Sequence, residues 1–121
     1  ALSYRHVIGD VEDALAKSDV VVEGRFFLPR IAHACLGTFG CLAQWDYSGR
    51  LSLTTPTQVP HLAQHDLSKI LGIGADKIRI VQPAIGGGFG SKLDVSPREP
   101  IAAFLAKACG RPVKIVFDRH E

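Results

Sequence analysis

What the sequence lacks narrows its function before any motif is read. Fourteen basic residues against 12 acidic ones leave a formal net charge of +2. The charges are spread along the chain, so no nucleic acid and no anionic membrane is expected as a partner. No apolar run approaches the roughly 18 residues that a spanning helix requires, and Ala1-Leu2-Ser3-Tyr4-Arg5-His6 lacks the basic-then-apolar layout of a signal peptide. A cytoplasmic protein with no membrane insertion is expected. Cysteine is scarce: Cys35, Cys41 and Cys109 are an odd number, and their spacings fit neither a zinc knuckle nor a C-x-x-C pair. They are expected to be buried structural thiols. His61 and His65 share helical i,i+4 spacing, but Leu62 stands where H-E-x-x-H needs glutamate, so a polar helix face is expected and no metal ligand. Methionine is absent even from position 1, and the chain stops at Glu121 directly after a strand-like run. A single partial domain over residues 1–121, taken from a longer subunit, is the expectation.

What is present begins with a hydrophobic share of 46%, enough for a real core in 121 residues. The most concentrated feature is Gly86-Gly87-Gly88-Phe89-Gly90, running into Ser91-Lys92. Backbone without β-carbons reaches φ > 0 and approaches other surfaces closely, at an entropic cost that suggests a use. A strand-like run precedes it at 77–81 and a helix-like run follows at 97–108, which sets the loop at a strand end, where α/β proteins receive ligands. Its amides can grip an anion or the polar edge of a cofactor. Two nucleotide motifs fail here. The phosphate loop needs glycine where Ser91 stands and Ser or Thr where Leu93 stands, and the dinucleotide pattern also breaks at Ser91. On residues alone, a tight connection and a ligand loop both remain open.

The remaining elements follow from local chemistry. Asp10 is an N-cap for a helix to about Ser18, and the β-branched and aromatic stretch 20–27 reads as a strand. Strands at 41–45 and 50–54 flank Asp46-Tyr47-Ser48-Gly49, a hairpin turn. Leu62, Ala63, Leu67, Ile70 and Leu71 share one helical face, with Pro60 in the first turn and Gly72 as the stop. Ser96-Pro97-Arg98-Glu99 has the form of a capping box, for a helix whose buried face is expected to be Ile101, Phe104, Leu105 and Ala108. Gly110 and Pro112 close that helix before a strand at 113–117. The order αβββαβαβ predicts an α+β fold of mixed α/β layers.

Several landmarks then fall into one pattern: Gly9-Asp10-Val11-Glu12, Val20-Val21-Val22-Glu23-Gly24, His33 before the hairpin, Thr57-Gln58, the 86–92 loop and Gly110-Arg111-Pro112-Val113-Lys114. Nearly end to end, this resembles the molybdenum hydroxylases, the large subunits of xanthine dehydrogenase, aldehyde oxidase, carbon monoxide dehydrogenase and 4-hydroxybenzoyl-CoA reductase. The resemblance implies a molybdopterin-binding portion of an oxidoreductase. The cofactor would be molybdopterin, plain or in its cytosine dinucleotide form. FAD and 2Fe-2S clusters would sit on other domains or subunits.

By the same resemblance, Gln58 hydrogen-bonds an oxygen ligand of the metal, and Gly88, Phe89 and Gly90 contact the cofactor. Phe89 and Leu93 would wall the substrate pocket. No residue here ligates the metal, Gln58 and Phe89 being one shell removed, and no residue of the chain is catalytic. A neutral amide suits the place of Gln58, since it donates and accepts without altering the charge of the site. Read without the family, Gln58 is better taken as a glutamine satisfying free amides at a helix start. The implied substrates are small aldehydes, heteroaromatics or aromatic acyl compounds. The implied partners are the rest of the large subunit and iron–sulfur and FAD subunits or domains, in a homo-oligomer of the complex. Leu93 replaces the substrate-binding glutamate of purine-oxidising members, which argues against xanthine. Leu36-Gly37 stands for a common Leu-Glu pair, and Ser91 for a frequent glycine. A catalytically inert binding or assembly module retaining the fold is the alternative.

Overall fold

The structure, a computed structural model, describes residues 3–120. Ala1, Leu2 and Glu121, on which the expectation of a partial domain leaned, lie outside the described residues. The chain clusters into two compact units that divide after Ile31.

The first unit contains helix α1, Val11–Ala16. Asp10 caps it, its Oδ1 accepting the Asp13 N–H at 3.1 Å, and Glu12 and Asp13 place negative charge in the first turn. Beyond it the expected strand at 20–27 does not form. A strand exists through its ladder, and among the described residues this segment pairs with none. Val20, Val22, Phe26 and Phe27 stand exposed. Branched and aromatic residues favour a pleated, half-buried surface; they cannot supply the neighbour that makes one.

The second unit is a two-layer α+β arrangement. Strands β1, Gly40–Trp45, and β2, Leu51–Thr54, form the expected hairpin, with Trp45 opposite Leu51 and Leu42 opposite Thr54. Its turn is closed by Asp46, whose Oδ1 accepts Ser48 N, Ser48 Oγ and Arg50 N at 2.7–2.9 Å, while Gly49 takes φ +76°. The Arg50 amide foremost, then the Ser48 hydroxyl, hold the Asp46 carboxyl below the usual range. Helix α2, Pro60–Leu71, begins on its proline and stops at Gly72 in the left-handed conformation. It carries the chain across to β3, Ile78–Val81, which lies parallel to β2. Helix α3, Arg98–Cys109, leads to β4, Val113–Val116, antiparallel to β1. The sheet order is β3-β2-β1-β4.

Cys41, Ala43, Leu51, Leu53 and Ile78 from the sheet pack with Leu67 of α2 and Ala102, Ala103 and Ala106 of α3. The buried face of α3 therefore differs from the expected one: Ile101, Phe104 and Leu105 are exposed, and Ala108 as well. Close approach decides this. Trp45 Nε1 donates to the Ala103 carbonyl at 2.7 Å, and Ala43 opposite is fully buried, so only alanine-sized side chains fit between helix and strand. On α2 the expected face is half realised, with Ala63 and Leu67 buried and Leu62 and Ile70 exposed.

Strand direction positions the site. Because β1 runs antiparallel to both β2 and β4, and β3 runs with β2, the carboxyl ends of β2, β3 and β4 share one edge with the start of β1. Four connections meet there: residues 32–39, 55–59, 82–93 and 117–119. That is the edge at which open α/β sheets bind ligands.

Candidate functional site

Where β2 ends, Thr55 N still bonds the Val81 carbonyl at 3.1 Å, and Thr57 N then turns back to Thr55 O at 2.9 Å. Thr57 Oγ1 accepts the Val59 N–H at 3.1 Å just ahead of α2, whose N-cap, Val59, gives the first-turn amides no side-chain acceptor. Gln58 does not cap the helix either; its side chain points into the glycine loop. Its Oε1 accepts the Gly90 N–H at 3.1 Å and the Lys92 N–H at 3.3 Å, while its own N–H donates to Lys92 O at 2.9 Å. Two N–H donors on one atom settle which end of the amide is oxygen. Gln58 Nε2 then has no hydrogen-bond partner among the described residues.

Gly88 lies flat against that amide. A β-carbon there would stand 2.5 Å from Gln58 Cδ and 2.8 Å from Cγ, so any side chain would evict the glutamine. The loop is further set by Ser91, whose N–H and hydroxyl both donate to the Gly88 carbonyl, at 2.9 and 2.7 Å. Cys35, buried below, donates its thiol to the same oxygen at 3.3 Å. Gly86, Gly87 and Gly90 take φ of +66°, +89° and +95°. Phe89 takes φ +51° without being glycine, and its ring is 74% exposed. A bulky residue held in the left-handed region and thrown outward is strained, and such strain gathers at functional sites. The one other non-glycine residue of this kind among those described is Ala34, at φ +48°, in the loop on the facing side.

The structure thus brings Gln58, Gly88 and Gly90 into direct contact, with Phe89 projecting beside them. Leu93 follows on the outer side, 41% exposed. The Gly90 N–H points to Gln58, so the donor left unengaged at this contact, among the described residues, is the Gln58 NH2. Apart from its chain neighbours, the place of a Gly90 β-carbon has a single atom within 4 Å among the described residues, His33 Nε2 at 3.9 Å.

Three residues that hold the site had no strong signal in the sequence. Lys92, 2% exposed, donates from Nζ to Gly37 O at 2.9 Å and to Ile85 O at 2.7 Å. Gly37 bonds Gly86 O at 2.8 Å, and a β-carbon at 37 would sit 2.8 Å from Ile85 O, so the departure from Leu-Glu has a packing reason. Arg119, after β4, clamps the Cys35 and Leu36 carbonyls through Nη1 and Nη2, both at 2.6 Å. Between these loops lies a cleft of about 250 Å³ that His33, Cys35, Ser91 and Arg119 help to line. A larger cleft of about 360 Å³, beside Asp46, Arg50 and Asp76, opens at the hairpin end of the sheet, away from these groups.

Below the site, Glu99 forms half of the expected capping box, accepting Ser96 N at 3.0 Å; Ser96 Oγ turns instead to Arg98, at 2.7 Å from Nη1. Glu99 also accepts Thr55 Oγ1 at 2.9 Å and pairs with Arg98 at 2.6 Å, both partners being buried. Arg98 stacks 4.7 Å from the Phe39 ring. Burial, and then the Glu99 carboxylate, push the nearby Cys41 thiol up to about 11, against the pull of Arg98. Among the described residues no group of three His, Cys, Asp or Glu is arranged to hold a metal ion.

The profile of the molybdopterin cofactor-binding domain matches residues 2–121. The nicotine 6-hydroxylase large subunit of Paenarthrobacter nicotinovorans is 37% identical over 118 residues, 97% of this chain and 14% of that protein. The carbon monoxide dehydrogenase large chain of Hydrogenophaga pseudoflava is 39% identical over 107 residues, 88% of this chain and 13% of that protein. Among solved structures, a Cu,Mo-CO dehydrogenase superposes with a TM-score of 0.85 at 38% identity, covering 93% of this chain and 15% of that one. Quinoline 2-oxidoreductase from Pseudomonas putida 86 does so with 0.83 at 32% identity, covering 91% and 14%. The chain therefore spans a small part of the length of the relatives it matches.

Proposed function

The chain belongs to the molybdopterin cofactor-binding domain family, and from that premise we propose that the loops at the carboxyl edge of its sheet form one wall of the cofactor pocket in a larger molybdenum-dependent oxidoreductase. The observation that carries this reading is the Gln58 side chain, fixed through Oε1 by two backbone amides and left with an NH2 that has no partner among the described residues. Such a group is a preorganised donor for an oxygen held over the loop. The residues present fit the cofactor. Gly88 leaves room for the glutamine, and the space above Gly90 is open.

Bound there, molybdopterin would supply the redox chemistry; this chain would supply orientation and exclusion of water. Gln58 would hold a hydrogen bond to a metal-bound group from outside the ligand shell, a kind of contact that tunes a metal without replacing a ligand. Phe89 and Leu93 would give the substrate side an apolar surface that suits an aldehyde, a heteroaromatic ring or an aromatic acyl group. No acid, base or nucleophile is assigned to this chain. The rest of the large subunit, iron–sulfur and FAD domains or subunits and a homo-oligomeric, cytoplasmic complex complete the proposal.

The test is Gln58→Ala in the intact subunit. Molybdenum content should be retained while turnover falls roughly 10- to 100-fold, as on loss of other groups that hydrogen-bond a metal's ligands without binding the metal. Wild-type turnover in that variant would remove the role of Gln58. An intact wild-type subunit without molybdenum would favour the inert module.

A further inference from the structure

Lys92 is the largest side chain shut away from solvent, and neither ion pair among the described residues includes it. Burying an ammonium without a carboxylate partner is costly, so its retention calls for an account. Its donors go to two carbonyls, Gly37 O and Ile85 O, and it stands 5.5 Å from the centre of the Phe39 ring. One carbonyl belongs to the 32–39 loop and the other to the start of the glycine loop. The main chain of the same residue grips both ends of Gln58: its N–H reaches Oε1, and its carbonyl accepts the Gln58 N–H.

The geometry points to Lys92 as a positioning residue: its ammonium sets the separation of the two loops, and its backbone passes that setting to the aim of Gln58 Nε2. The last step rests on the role proposed for Gln58; the coupling of the loops does not. Lysine suits the task because three tetrahedral donors on a long stem reach two carbonyls and an aromatic face at once. Because both carbonyls are main-chain atoms, the ammonium ties the backbone of one loop to that of the other, and the buried lysine stem joins both to the Lys92 main chain.

In the intact subunit, Lys92→Met keeps most of the stem and removes the donors. Deuterium exchange on the metal-free protein should speed up together in peptides over 33–41 and 84–93, with 51–54 unchanged. In the molybdenum-loaded protein, kcat should fall roughly 10-fold or more at unchanged KM and metal content. Gly37→Ala serves as a second variant should Lys92→Met fail to fold. It retains the lysine but presses a β-carbon against Ile85 O, and should reproduce the pattern. Exchange unaltered in either loop overturns the coupling. Exchange raised throughout, with molybdenum lost, makes Lys92 a general stabiliser and overturns it too. Coupled exchange with normal kcat overturns the positioning role and leaves Gln58 untouched. Normal turnover in Gln58→Ala refutes the role of Gln58, and the exchange result still decides the coupling of the loops.

Discussion

Gly88→Ala isolates the contact on which the site depends. The new β-carbon would stand 2.5 Å from Gln58 Cδ and 2.8 Å from Cγ, where carbons at rest keep about 3.5–4.0 Å. Gly88 does not have positive φ, so alanine meets no backbone strain there and the cost is the collision alone. Gln58 must swing away and give up its bonds from Gly90 N and Lys92 N. Two hydrogen bonds at about 1 kcal/mol each, with residual overpacking and a small gain from a stiffer unfolded chain, give a net loss of roughly 2–3 kcal/mol. In a Gln58→Ala background the colliding atoms are gone, and Gly88→Ala should cost close to nothing. The coupling in this double-mutant cycle should thus be about 2 kcal/mol, well beyond the ~0.5 kcal/mol scatter of independent sites. Urea unfolding of the 121-residue chain, read by Trp45, its sole tryptophan, measures it, and hydrogen exchange at the Gly90 and Lys92 amides should report the loss directly. An equal cost of Gly88→Ala in both backgrounds would refute the contact.

Three further outcomes are expected. With its pKa raised from 9.0 to about 11, the Cys41 thiol stabilises the fold below pH 9 and loses that contribution as pH rises from 9 to 11, where only the unfolded chain releases the proton. The urea midpoint should therefore fall over that window more steeply in the wild type than in Cys41→Ala. At pH 8 a thiol reagent should label exposed Cys109 at once, and Cys35 and Cys41 only on unfolding. On α3, Ala103→Leu should cost about 1–3 kcal/mol by overpacking, whereas Phe104→Ser should stay within about 0.5 kcal/mol; the reverse order in thermal denaturation would restore the face expected from the sequence.

Local chemistry, legible in the sequence alone, determined where the elements of the second unit begin and end. Pro60 opens α2, Gly72 and Gly110 stop two helices, and Asp46 with Gly49 turns the hairpin, because each acts within a few residues of itself. The family was legible as well, since its glycine loop and Thr57-Gln58 are contiguous motifs. Tertiary structure decided what depends on a neighbour. Residues 20–27 have the composition of a strand but no ladder, and α3 buries its alanines because Trp45 draws it too close for phenylalanine. Periodicity marks an apolar face without measuring the distance to what it meets. Likewise Gln58 could have capped its own helix. The fold instead brought in Gly90, 32 residues away, to bind the glutamine oxygen, and left its nitrogen without a hydrogen-bond partner among the described residues.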